Sequence, residues 1–337
     1  MEKPLAAYLA TKLGLESDVC ITGLLRIPGG ASRETWMFEA AWQQGGDAHS
    51  QEFVLRMDPP ASLVESDRAV EYAFYEAFEG SDVPVPRMRW LENDPAHLGA
   101  PFFIMDKIPG CDSSPRRIQE PAYNESRAML GRQMYETLGR IHRRDWRATG
   151  VTAVAEAPAP DACWQRELTY WEGMIDRNEL SPQPVARAAI RWLRANPPPP
   201  AQCVTVVHGD YRVGNFLYTP AGIAGVVDWE MAHLGDPLED LAWGFMEYWE
   251  WGALKQFEDG GVLIDEAGGS TIELLGGHHG EAAREADGLV AERRADLWQH
   301  LREEGCGDAA EDLRCARPHA PRPRERRRIS SCVLMSE

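Results

Sequence analysis

The chain has no run of about 18 apolar residues, the length a membrane helix needs, so neither a membrane span nor a membrane partner is expected. It also lacks a surplus of positive charge. Its 35 basic residues stand against 53 acidic ones, leaving −18 at pH 7. That balance disfavours a general role on nucleic acid or on an anionic surface. The seven cysteines, at positions 20, 111, 163, 203, 306, 315 and 332, form no CxxC pair. Scattered thiols fit a reducing compartment and argue against a disulfide framework or a zinc site. No internal repeat is visible. The opening MEKPLAAYLATKLGLESD carries acids and reads as a short helix, not a signal peptide. Together these absences lead to the expectation of a cytoplasmic protein, with its oligomeric state left open. What is present is ordinary: 337 residues, 44% hydrophobic and 26% charged. Such a chain can fill a large core and build two subdomains.

Residues 4–14 read as a small amphipathic helix. Ile21–Ile27 and Thr35–Trp42 are strand-like, and PGGASRE between them is a hairpin signal. EFVLRM, Glu52–Met57, is a third strand, stopped by Pro59 and Pro60. Ser62 and Glu65 are spaced as a capping box for a helix running to about Phe78, with Gly80 suited to its C-terminal turn. VPVPRMRWL is extended, and PFFIM, residues 101–105, has the pattern of a buried strand. Residues 20–107 therefore read as a small sheet with one helix. Beyond Gly110 the pattern turns helical, with periodic segments at 123–145, 160–177 and 184–195. Asp236 followed by Pro237 and Glu239 marks the start of another helix, read through Trp249. Residues 258–337 break the pattern. They hold one candidate helix, 282–301, and an Arg/Pro-rich end expected to be disordered from about residue 305. A shift of reading frame near residue 255 would produce such a change.

The chemistry concentrates in VVHGDYRVGNFLYTPAGIAGVVDWE, residues 206–230. One short strand delivers Asp210 and Asn215 into a loop, and a second ends at Asp228. A hairpin closed by TPAG brings the two ends together. Two carboxylates and an amide around one point are hard oxygen ligands suited to Mg²⁺. Asp, then Asn five residues on, then a later Asp is a layout used for phosphoryl transfer: one Asp orients the attacking hydroxyl, while the Asn and second Asp hold metal. Asp236 and Asp240 suit capping and loop bracing, and Trp243, Trp249 and Trp251 at helical spacing suit a core stripe, on a helix that would adjoin the substrate cleft.

HGDYRVGNFL, then VVDWE, then HLGDPLEDLAW resembles the aminoglycoside phosphotransferase family, and within it the bacterial branch related to the phosphotransferase domains fused to acyl-CoA dehydrogenases. The resemblance extends from about residue 18 to 255. It implies an α+β, bilobal, protein-kinase-like fold with a small β-rich N-terminal lobe and a larger helical C-terminal lobe. The corresponding division is 1–107 for ATP binding, 108–257 for catalysis and acceptor binding, and 258–337 as an atypical C-terminal segment. The implied activity is ATP-dependent, Mg²⁺-assisted phosphorylation of a hydroxyl on a small molecule. Asp210 would be the catalytic base, Asn215 and Asp228 the metal ligands, and His208 a brace. PGGASRET would cover the ATP phosphates through Gly29, Gly30 and Ser32, and PFFIMDK would be the hinge, with backbone around Met105 meeting adenine. Two departures stand out: the glycine loop is not GxGxxG, and the third strand offers Arg56 where kinases place lysine. Arginine can pair bidentately with phosphate and with a helix carboxylate, for which Glu71 is the natural partner. The alternative is a nucleotide-binding protein with a regulatory role. A polycationic aminoglycoside is not the expected acceptor, because 239–251 is rich in Trp, Phe, Tyr and Leu with only a few acids.

Overall fold

The computed structural model describes residues 1–16, 18–27, 33–59, 67–115 and 117–244. Gly29, Gly30, Ser32, the Ser62–Glu65 capping box, the 282–301 helix and the tail expected to be disordered lie outside those residues.

The N-terminal half is one antiparallel sheet between two helices. Helix α1 (Glu2–Leu13) precedes strands β1 (Cys20–Ile27), β2 (Glu34–Gln44) and β3 (Asp47–Met57). Helix α2 (Arg68–Phe78) follows, then β4 (Met88–Glu92) and β5 (Phe102–Asp106). The sheet order is β1-β2-β3-β5-β4. Strand alternation decides what each face covers. On β5, Phe102 and Ile104 pack towards α1 with Leu5, Tyr8, Phe38 and Phe53. Phe103 and Met105 pack the other way, towards Phe74, Tyr75 and Phe78 of α2. That second cluster continues into the C-terminal half through Tyr135, Val206 and Trp229, so one core joins the two parts.

The β2–β3 hairpin is longer than the apolar pattern suggests. Its ladder runs on through Gln44↔Asp47, and the turn is Gly45–Gly46, both with positive φ. The outer end carries polar residues on both strands, with Trp42 stacked on His49, so the apolar pattern stops at Trp42 while the ladder continues. Asp67 caps α2, its side chain accepting from Ala69 N at 2.8 Å.

The C-terminal half is built from α3 (Arg127–His142), α4 (Cys163–Asn178) and α5 (Pro184–Ala195). The segment expected to be helical from residue 123 turns first through a 3₁₀ piece, Pro121–Tyr123, and α3 starts only at Arg127. Two small antiparallel ribbons follow. One pairs β6 (Thr205–Val207) with β9 (His233–Gly235), the other β7 (Phe216–Thr219) with β8 (Gly222–Val226). Helix α6 (Leu238–Gly244) is the last among the described residues, with Leu238 N donating to Asp236 Oδ1 at 3.0 Å as a capping contact. No described helix is long and apolar enough to cross a membrane.

Candidate active site

The β6 strand ends at Val207, and the next three residues form a tightly braced loop. His208 is fully buried. Its backbone N–H donates to Asp240 Oδ2 at 2.8 Å, and Gly209 N donates to Asp240 Oδ1 at 2.9 Å. The His208 ring donates from Nε2 to Val227 O at 3.1 Å and accepts from Asp210 N on Nδ1 at 3.2 Å. Burial pushes the His208 pKa down, despite the negative charge of Asp240 and Asp210 nearby, so the ring serves as a neutral strut. Asp240 is equally buried. Burial alone would raise its pKa, but contacts from His142, at 3.2 Å, and His208 hold it below the usual carboxylate range.

Asp210 projects from this loop with each oxygen engaged. Oδ2 accepts from Asn215 Nδ2 at 2.7 Å, and that amide also donates to Asp210 O at 2.8 Å. Oδ1 accepts from Arg212 Nε and from Trp243 Nε1, both at 2.8 Å. The ribbon then closes the set. Val227 N donates to Asn215 O at 2.9 Å, which puts Asn215 beside Asp228. Asp228 has φ 72°, the left-handed region, and is the sole non-glycine residue so placed among the described residues. A side chain held there carries backbone strain of about 1–3 kcal/mol, a cost that clusters at functional sites. Tyr75 Oη accepts from Asp228 N at 2.8 Å and fixes the turn.

The Arg56 guanidinium reaches across from β3. It lies 3.4 Å from Glu71 Oε1, 2.8 Å from Asp228 Oδ1 and 3.2 Å from Glu230 Oε2, one nitrogen to each carboxylate. Arg56 and Glu71 are thus in ionic contact, without a hydrogen bond between Nε and Oε1, as part of a larger set. Arg33, itself buried, donates from Nε to Glu71 Oε2 at 2.7 Å and from Nη1 to Asp58 at 2.5 Å. Burial raises the Glu71 pKa, against the pull of Arg56 and Arg33. Burial would also raise that of Asp228, yet Arg56 brings it below the ordinary value.

Three contributors to this cluster lie within the quoted motifs without a charge partner or site role assigned there: Arg33 in PGGASRET, Glu230 in VVDWE and Trp243 in HLGDPLEDLAW. Arg33 and Glu230 are charges whose partners are distant in sequence. Trp243, whose spacing suggests a core stripe, instead puts its indole on Asp210. Met105 lies in β5. It is buried inside the ladder, opposite Val54 of β3 and Met88 of β4. Even Asp106 N and Lys107 N are occupied, by Arg87 O and Glu52 O. The backbone that leaves the sheet begins at Ile108, because β5 is an interior strand whose peptide groups are used by its neighbours.

The residues fit a divalent cation. Asp228 Oδ1 is buried and has no hydrogen bond of good geometry, its contact with Arg56 Nη1 being off-axis. Asn215 spends its Nδ2 on Asp210, which leaves its amide oxygen as the end available to a metal. One carboxylate and one amide oxygen are a sparse set, suited to Mg²⁺, whose other ligands are phosphates and water. A second group of candidate ligands, Glu167, His233 and Glu239, lies on α4, β9 and α6.

The sequence model of the Phosphotransferase enzyme family matches residues 23–268. Acyl-CoA dehydrogenase family member 10 of Mus musculus is 30% identical over 251 residues, covering 73% of this chain and 22% of that protein. The chain spans about a quarter of the length of such curated relatives, 22%, 26% and 27% for three of them. Among solved structures, a candidate aminoglycoside phosphotransferase from Ralstonia eutropha superposes with a TM-score of 0.55 at 21% identity, over 89% of this chain and 98% of that one. A thermostable mutant of aminoglycoside phosphotransferase APH(4)-Ia, in ternary complex with ADP and hygromycin B, gives 0.52 at 17% identity, over 94% and 99%. These likenesses establish a bilobal, kinase-like α+β fold.

Proposed function

Because the chain belongs to the phosphotransferase enzyme family, we propose that it transfers the γ-phosphoryl group of ATP to a hydroxyl of a small molecule. The observations that support this reading are the Asn215 amide on Asp210, the Asn215 carbonyl bonded to the residue before Asp228, and Arg56 of β3 reaching Asp228. All three residues needed for phosphoryl transfer are retained, which weighs against a purely regulatory nucleotide-binding role. The ADP bound by a protein of the same fold supports nucleotide use.

In this reading residues 1–107 bind the nucleotide and 108–257 supply catalysis and the acceptor site. Asp210 orients the acceptor hydroxyl and takes its proton as the new O–P bond forms. Asn215 and Asp228 hold Mg²⁺. When bound, the metal supplies neutralisation of the β- and γ-phosphate charge. Arg56, kept in place by Glu71, offers its guanidinium to the phosphates. Gly29, Gly30 and Ser32 belong to the loop over them. Adenine meets the backbone just beyond the Met105 strand, at Ile108–Gly110, where peptide groups leave the ladder. Little covalent work falls to the protein, and positioning and electrostatics provide most of the rate. The acceptor is a metabolite hydroxyl with an apolar portion, since an indole and a guanidinium flank Asp210 where a polycation would need carboxylates. A cytoplasmic setting follows from the need for ATP.

The test is Mg-ATP turnover against a panel of hydroxyl metabolites and aminoglycosides. Asp210→Asn is expected to lower turnover by about 10³-fold or more while leaving nucleotide affinity unchanged. Turnover within tenfold of wild type would remove Asp210 from the mechanism. Asp228→Ala is expected to abolish the Mg²⁺-dependent part of nucleotide affinity in calorimetry. Equal losses with and without the metal would contradict its role. Efficient kanamycin phosphorylation would overturn the acceptor class.

A further inference from the structure

The catalytic loop is gripped from one helix at three successive residues. Asp240 of α6 accepts from His208 N and Gly209 N, and Trp243 donates to Asp210 Oδ1 at 2.8 Å. Asp240 and Trp243 are three apart and share a face of the helix. A carboxylate oxygen has two lone-pair directions. On Oδ1 of Asp210 both are filled, by Trp243 Nε1 and Arg212 Nε. On Oδ2 one is filled, by Asn215 Nδ2. Among the described residues, one acceptor direction is left, and it belongs to Oδ2.

We propose that Trp243 is a positioning residue for phosphoryl transfer, its indole N–H locking the Asp210 carboxylate so that Oδ2 meets the acceptor hydroxyl. The proposal rests on the role assigned above to Asp210. A carboxyl torsion is broad and two-fold, so an unpinned Asp210 would present either oxygen. With Oδ1 occupied, the hydroxyl proton has one destination. The acceptor O–H bond breaks and its proton passes to Oδ2. The acceptor oxygen bonds to the γ-phosphorus, whose bond to the β–γ bridging oxygen breaks, releasing ADP. An indole is a donor only, so it neither competes for that proton nor titrates.

Trp243→Phe keeps an aromatic ring and removes the N–H. It is compared with wild type, Asp210→Asn and Arg212→Met, using Mg-ATP turnover with water and with an alcohol panel as acceptors. Mg-ATP affinity by calorimetry and thermal melting are measured alongside. Trp243→Phe is expected to lower kcat about tenfold. The KM for ATP should stay within about twofold and the melting temperature within a couple of degrees. Combined with Arg212→Met, the loss should depart from additivity, because both donors serve one oxygen. An unchanged kcat in Trp243→Phe, with turnover lost in Asp210→Asn, would overturn the proposal and leave the site reading intact. A fall in kcat matched by lost ATP affinity or a large drop in melting temperature would mark a structural role and also overturn it. Full turnover in Asp210→Asn, or none in wild type with any acceptor, would overturn both.

Discussion

Arg56 distributes three nitrogens over three carboxylates, a set that a single ammonium could not reproduce. A lysine ammonium is a point charge and could serve Glu71 or Asp228 but not also Glu230. Glu71 in turn is fully buried between Arg56 and Arg33. Removing one partner of such a buried set leaves charge uncompensated, at a cost of about 3–5 kcal/mol. Arg56→Ala and Glu71→Ala should each lower the urea midpoint strongly, and the double variant should lose clearly less than the sum of the two. Arg56→Lys should fall between wild type and Arg56→Ala in both stability and KM for ATP. Additive losses, or a lysine variant equal to wild type, would show that the three contacts do not act as a unit.

Short elements aim the site, and glycine decides how closely they approach. Gly209 has φ 81°, and a Cβ built there would lie 2.6 Å from Met231 O. Gly209→Ala is therefore both strained and overpacked, against backbone that cannot yield. It should cost about 2 kcal/mol or more and displace Asp210, lowering turnover as well as the melting temperature. An alanine variant of unchanged stability would mean that the loop relaxes freely. Much of this level is legible in the sequence. The β7–β8 hairpin, α5 and the capping Asp236 follow from turn residues and periodicity, which are local signals. Asp210, Asn215 and Asp228 are legible because their spacing brackets that hairpin. Arg33, Glu230 and Trp243 stand inside the quoted motifs, but their contacts are not legible, since each acts through a partner on another element. Trp243 illustrates the limit: an aromatic at helical spacing points equally well into a core or onto a carboxylate. Met105 shows a second limit, because a buried-strand pattern by itself assigns no ligand contact.

At the scale of the whole molecule, two histidines among the described residues pull the pH dependence of stability in opposite directions. His208 is a neutral buried strut whose pKa burial pushes down. His233 sits 3.0 Å from Glu239 and 3.4 Å from Glu167, and those carboxylates raise its pKa against the effect of burial. An unfolded histidine titrates near about 6.5. For His208 the folded value is lower, so its contribution is present above about 6.5 and is lost as pH falls through the folded value. For His233 the folded value is higher, so its contribution is complete below about 6.5 and is lost as pH rises through the folded value. The two slopes oppose each other and meet near the unfolded value. Each can reach about 1.4 kcal/mol per pH unit. Below about 4, the depressed Asp228 and Asp240 add a further loss, because both must take up protons they resist. Glu71, raised by burial, works in the opposite direction and blunts that limb. The net charge of −18 relaxes on acidification and does the same. Urea denaturation between pH 5 and pH 8 should therefore show a maximum near about 6.5, with a decline on both sides. His233→Gln should flatten the alkaline side and leave the acid side intact. A monotonic curve through this range, or a variant whose alkaline slope is unchanged, would mean that the His233 cluster does not hold its proton in the folded protein.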